Sequence, residues 1–187
     1  MTIKKLLLTI FLLLGSLQAE NSIGLNINAD DVEASASIDF NALKDYSSGT
    51  SYLLDFQYLR TDGDNMTSIG FSGQNTFQGI EGLTLAFGLK SIFANNFFAL
   101  PLTARGVYTL PLIDSIPTTS LAVSFAYAPS VLTFRNGDNY SDLRVEADME
   151  VIPNIHILAG YRNITTNYEY IPKIFNNGFY AGIKISF

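Results

Sequence analysis

Five ionisable side chains occupy alternate positions in "YSDLRVEADMEV", Tyr140 to Val151: Asp142, Arg144, Glu146, Asp148 and Glu150. Clustered carboxylates beside an arginine can serve acid–base catalysis, hard-cation binding or ion-pair networks. Catalysis would draw on the only histidine, His156. A catalytic histidine needs a nucleophile or activated water and an orienting carboxylate within hydrogen-bond reach. No recognisable Ser-His-acid constellation stands near it in the sequence, and one histidine cannot build a multi-histidine metal site. His156 therefore reads as a polar lining residue, and no enzyme activity, metal or cofactor is expected. The segments "TDGDN" (61–65) and "RNGDN" (135–139) contain acidic donors but lack the spacing and closing Glu of an EF-hand. Their Asp-Gly and Asn-Gly steps suit tight hairpins with positive φ.

What must position these charges is a strand. Opposite the charged face of Tyr140–Val151 lie Leu143, Val145, Ala147, Met149 and Val151. Side chains that alternate in this way point to opposite sides of a β-strand. The same period runs along most of the chain. Ile23, Leu25 and Ile27 oppose Gly24 and Asn26; Leu54, Phe56 and Tyr58 oppose Asp55 and Gln57; Leu121, Val123 and Phe125 oppose Ala122 and Ser124. Period-two patterning predicts strands near 22–29, 32–40, 51–60, 66–75, 83–93, 97–109, 120–128, 140–151, 155–163 and 178–187. No convincing helix and no internal linker interrupts them.

The two ends supply the compartment. "MTIKKLLLTIFLLLGSLQAE" places Lys4 and Lys5 before an apolar run and a small-residue site at Ala19, the layout of a secretory signal peptide. Residues 1–19 are expected to be removed, leaving 20–187 as one barrel domain. The full chain has 11 basic and 17 acidic residues and a formal charge of −6. Losing two lysines makes it more acidic, which argues against nucleic acid as a partner. At the other end, "GFYAGIKISF" alternates to the last residue, Phe187.

A strand with an apolar outer face can end in this way if the sheet closes on itself. In lipid, every backbone N–H and C=O needs a protein partner, so the last strand must pair with the first. The expected fold is all-β: a closed antiparallel transmembrane β-barrel of about 10 strands, with 8 as the alternative. Connections 61–65, 94–96, 129–139 and 164–177 would be extracellular, and 41–50, 76–82, 111–119 and 152–154 periplasmic. Parity then sends Lys90, Arg105, Arg144, Arg162 and Lys184 into the lumen with Glu33, Asp39, Asp55, Glu146, Asp148 and Glu150. Tyr52, Tyr58, Tyr108, Tyr127 and Tyr161 would face outward near strand ends as an aromatic girdle.

The mature sequence resembles the YfaZ-type family of small bacterial outer-membrane proteins. The likeness is carried by "YAPSVLTF", "NGDNYSDLRVEADMEVIPNIHILAGYRNI" and the closing strand, with "SIGLNIN" and "YLLDFQYLRTDGD" upstream. It implies an integral outer-membrane barrel and brings no reaction or ligand. Gly182, Ile185 and Phe187 resemble the carboxy-terminal signal read by the bacterial barrel assembly machinery. The implied partners are outer-membrane lipids, that machinery and periplasmic chaperones.

Three functional readings follow. A barrel this narrow is normally filled by side chains, which favours a sealed structural or surface-interaction barrel. The same charges could instead line a narrow channel for ions or small solutes. A soluble exported β-sandwich acting as a binding module would share the alternation.

Overall fold

The computed structural model describes residues 21–40, 49–61, 63–113, 116–168 and 171–187. The expected signal peptide lies outside them. The strands, in chain order, are β1 (Ser22–Ile27), β2 (Asp31–Asp39), β3 (Ser51–Thr61), β4 (Asp64–Thr76), β5 (Leu83–Ala94) and β6 (Phe97–Ala99). They continue as β7 (Leu102–Thr109), β8 (Thr119–Ala128), β9 (Thr133–Arg135), β10 (Gly137–Ile152), β11 (Ile155–Tyr168) and β12 (Ile171–Ser186).

Among the described residues, ten of these strands form a ring in the order β1, β2, β3, β4, β5, β7, β8, β10, β11 and β12. Pairing of β12 with β1, Ser186 opposite Ser22 and Ile183 opposite Leu25, closes it. The wall is continuous and antiparallel, so the ten-strand expectation holds and neither eight strands nor a two-layer sandwich does. Phe187 also donates its N–H to the Asn21 carbonyl at 2.9 Å, tying the last residue into the wall.

Alternation sorts the faces as a membrane barrel requires. Leu25, Ile27, Phe56, Ile69, Phe87, Leu89, Val123 and Ile183 are exposed on the outside. A water-soluble sheet would hide such residues in a core; here their burial falls to lipid. Tyr52 and Tyr108 lie near the strand ends on the side of the chain termini, and Tyr58 and Tyr127 near the opposite end. Tyr161 sits mid-strand rather than near an end.

The register also tilts the wall. Paired positions lead from Ser186 through Ser22, Ser37, Asp55, Gly70 and Lys90. The Lys90 N–H meets the Pro101 carbonyl at 3.0 Å. The path continues through Tyr140 and Thr166 to Lys173, near the far end of the starting strand. One circuit thus climbs almost the whole of β12, and the strands incline as in other closed barrels, by roughly 35–45°.

Three local expectations change. Residues 164–177 are not a loop: β11 runs to Tyr168, paired with β10 as far as Gly137, and β12 starts at Ile171, well beyond the end of β1. Polar and aromatic composition suggested a loop, but a strand outside the lipid has no need of an apolar face. The expected strand 97–109 breaks at Leu100 and Pro101, because proline lacks the N–H that a ladder needs. In "RNGDN" the left-handed residue is Arg135 (φ 64°) rather than the Asn-Gly pair. Gly63 does take positive φ (87°) at the β3–β4 hairpin.

Candidate functional site

The lumen is divided into an apolar plug and a charged layer. Towards the end remote from the termini, Leu59, Met66, Ile92, Tyr140 and Ile164 converge from five strands of the wall. The short strands β6 and β9 pair with each other beside β5, and Phe97 on β6 packs over Tyr140 and Tyr168. A bulge in β12 completes the plug. The register jumps between Ile164–Asn176 and Thr165–Ile174, so Phe175 has no partner of its own. The extra residue turns Phe175 inward, where it is buried with the plug instead of meeting lipid.

Beneath the plug lies the charge network. Glu33 accepts two bonds from Arg144 Nη1 (2.8 and 2.9 Å), one from Arg162 Nη1 (2.7 Å) and one from Asn26 Nδ2 (3.0 Å). One carboxylate from β2 therefore joins β10 and β11 across the lumen. Arg144 Nε reaches both Asp142 oxygens at 3.2 Å. Arg162 is only 1% exposed. Its Nε donates to Asn176 at 2.8 Å, and its Nη2 lies 3.5 Å from Asp31. Buried charges this densely bonded repay part of their desolvation, and removal of one leaves the rest uncompensated.

Small residues make room for this layer. Gly160 on β11 faces Tyr180 on β12, and a Cβ at Gly160 would come within 2.6 Å of the tyrosine ring. That space lets Tyr180 donate to Glu146 at 2.8 Å while its ring lies 5.1 Å from the Arg162 guanidinium. Gly160→Val should therefore displace Tyr180 and lower stability by about 1–3 kcal/mol. Urea titration of vesicle-embedded protein would measure this, and an unchanged midpoint would show that the tyrosine has another place to go.

The remaining lumen residues are distributed unevenly. Lys90 Nζ bonds Gln57 at 2.9 Å, a neutral partner. Asp55 and Arg105 form no ion pair among the described residues. Arg105 is exposed, yet its register partners Ala86 and Ser124 face inward. Around it stand the small residues Gly88, Ala122 and Ser124 of β5 and β8. Asp39 is buried, with its N–H bonded to Asn21 Oδ1 at 3.1 Å.

At that same end the structure joins residues that are far apart in the sequence. Asp148 Oδ1 lies 2.6 Å from His156 Nδ1, and His156 Nε2 lies 3.4 Å from Ser186 Oγ. Lys184 binds the other Asp148 oxygen. Glu150 Oε1 accepts from the Asn154 N–H at 2.9 Å and so fixes the β10–β11 turn. Serine, histidine and aspartate thus meet in the order of a hydrolase triad, a juxtaposition the sequence did not disclose. An oxyanion needs free N–H donors beside the nucleophile. The N–H of Ser186 is bonded to the Asn154 carbonyl and that of Phe187 to the Asn21 carbonyl, both at 2.9 Å. Neither of these two N–H groups is free to serve as an oxyanion donor.

A family model described as "YfaZ precursor" matches residues 9–187. The chain belongs to the YfaZ family. This YfaZ-family barrel is an outer-membrane β-barrel by its closed wall, its apolar outer surface and its family. No curated protein matches it. Solved structures that it resembles include a KdgM porin in complex with disordered oligogalacturonate, at 12% identity and TM-score 0.47, covering 90% of this chain and 99% of that one. A NanC porin matches at 7% identity and TM-score 0.44, covering 90% and 98%. A bacterial polysaccharide outer membrane secretin matches at 11% identity and TM-score 0.46, covering 89% and 69%.

Of the residues expected to form the carboxy-terminal signal, Gly182 faces the lumen, Ile185 faces lipid, and Phe187 lies just beyond the end of β12. Sequence reasoning overlooked Asp31, Asn176 and Tyr180 as members of the charge network. Asp31 shares the parity of Glu33, a signal that was available; Asn176 was hidden by the assignment of its segment to a loop.

Proposed function

We propose that this protein is a sealed, non-enzymatic outer-membrane barrel that acts as a structural or surface-interaction element. The observation that carries the reading is the near absence of free volume where plug and charged layer meet. Glu33, Gln57, Lys90, Tyr140 and Arg144 surround a void of about 10 Å³. A single water needs roughly that much space, so this void takes about one water, which supports a lumen stoppered at this level. Outer-membrane lipids are its permanent partners, with periplasmic chaperones and the barrel assembly machinery during biogenesis. A signal peptide, cleaved after Ala19, directs its export.

A channel is the second reading, supported by the exposure of Arg105 inside the wall of small residues. Planar bilayers separate the two. Purified protein should give no stable conductance. Discrete single-channel steps, abolished by neutralising Arg105 or Arg144, would replace the sealed barrel with a charge-lined pore.

A further inference from the structure

The wall has a notch, and its chemistry suits a ligand. Pairing of β12 with β1 stops at Ala181, where Ile27 is the last partner. Beyond it, β12 continues for several residues without a backbone partner on that side among the described residues. The β1–β2 hairpin turns back at Asn28–Asp30, well short of the far end of β12. Side chains bridge the gap instead: Asp31 accepts from Asn176 Nδ2, and Asp64 pairs with Lys173 above it.

Around the Asp31–Asn176 bridge opens a cleft of about 500 Å³, lined by residues 28–31 and 174–179. Its floor is rich in acceptors, including Asn28, Asp30, Asp31 and Asn177. Asp31 is 5% exposed; Asn28 and Asn176 both donate to its Oδ2, while Oδ1 makes no hydrogen bond of standard geometry and has only the Thr61 side chain beside it. A buried carboxylate oxygen left in that state is costly, so a donor arriving from the cleft would be favoured. The rim is apolar. Phe179 is 79% exposed and Ile174 64%, since no β1 residue covers them. An unpaired strand edge cannot face hydrocarbon, so the notch must meet the polar part of the bilayer or be filled by polar groups.

We propose that the notch binds a hydroxyl-bearing, sugar-type lipid headgroup, with the alkyl chain running along Phe179 and Ile174. Hydroxyl donors satisfy Asp31 Oδ1 and the free backbone edge, while the acidic floor disfavours a phosphate. The site is independent of whether the lumen conducts.

The test uses the folded protein in lauryldimethylamine oxide, whose headgroup has no hydrogen-bond donor. Titration with dodecyl maltoside, of the same chain length, is followed through the NMR signals of the Asn28 and Gly178 amides. Saturable shifts with dodecyl maltoside but not with maltose are the expected result. Equal shifts with free maltose would reassign the cleft to a soluble saccharide, and absence of saturable shifts would remove the site. A dimer formed through the free edge would show that a second copy covers it. Asp31→Asn should weaken binding at least tenfold. Because Asp31 also contacts Arg162, Gly178→Leu provides a second variant. Gly178 lines the cleft, and a Cβ there approaches only Asn28 Nδ2, at 3.4 Å, so a side chain at this position enters the cleft without removing any group of the charge network. Unchanged binding in Gly178→Leu would overturn the proposal.

Discussion

Glu33→Ala should lower the stability of the membrane-embedded barrel by about 3–5 kcal/mol, the usual cost of breaking a buried ion pair from one side. The variant leaves Arg144 and Arg162, which both donate to Glu33, without their shared anion. Like charges would then face each other in a layer that has almost no room for water. Arg144 retains Asp142, and Arg162 retains Asn176, so the barrel should still close. Glu33→Gln keeps the shape and removes the charge, and the difference between the two variants isolates the ionic part. The measurement is the urea midpoint of protein folded into vesicles, read as the fraction that migrates differently in unheated detergent gels. An unaltered midpoint for Glu33→Ala would mean that the network contributes nothing to the seal.

Gly182→Ala should impair closure of the barrel at its β1–β12 seam. A Cβ at Gly182 would lie 2.6 Å from the Leu25 carbonyl oxygen and 2.0 Å from Asn26 Oδ1. The side chain of Asn26 can rotate, but Leu25 is backbone, so the paired strands must separate. Overpacking of this kind costs roughly 1–3 kcal/mol. Gly88→Ala is the matched control, because its Cβ would lie 2.2 Å from the Phe71 carbonyl oxygen in the β4–β5 seam. If sterics alone decide, both variants should refold poorly into vesicles and assemble poorly in cells. A defect of Gly182→Ala confined to cells would instead mark the residue as part of the signal read by the assembly machinery. Normal assembly of both would show that the seams relax at no measurable cost.

The wall was legible because its code is local. Leu143, Val145 and Met149 against Arg144, Glu146 and Asp148 give the two faces of β10 without reference to any other strand. The same rule placed Lys90, Arg144, Arg162 and Lys184 on the inward face. It failed at residues 164–177, where β11 and β12 run past the end of β1 and apolar alternation gives way to "TTNY" and "KIFNN". It also could not anticipate the bulge at Phe175, which shifts parity midway along one strand.

Contacts across the lumen were not legible. Whether Glu33 meets Arg144 or faces a different cation depends on the shear of the whole ring, accumulated over ten strand-to-strand registers. The same holds for the meeting of Asp148, His156 and Ser186, which lie on three strands, and for the notch, which arises because one hairpin is shorter than its neighbours.

The amino-acid order alone established an exported chain and a sheet with one oily and one polar face, since each side chain's direction depends only on its immediate neighbours. Tertiary structure decided which charges pair, where the lumen is stoppered and where the wall lies open. Those outcomes depend on relative strand offsets and lengths, which no single segment specifies.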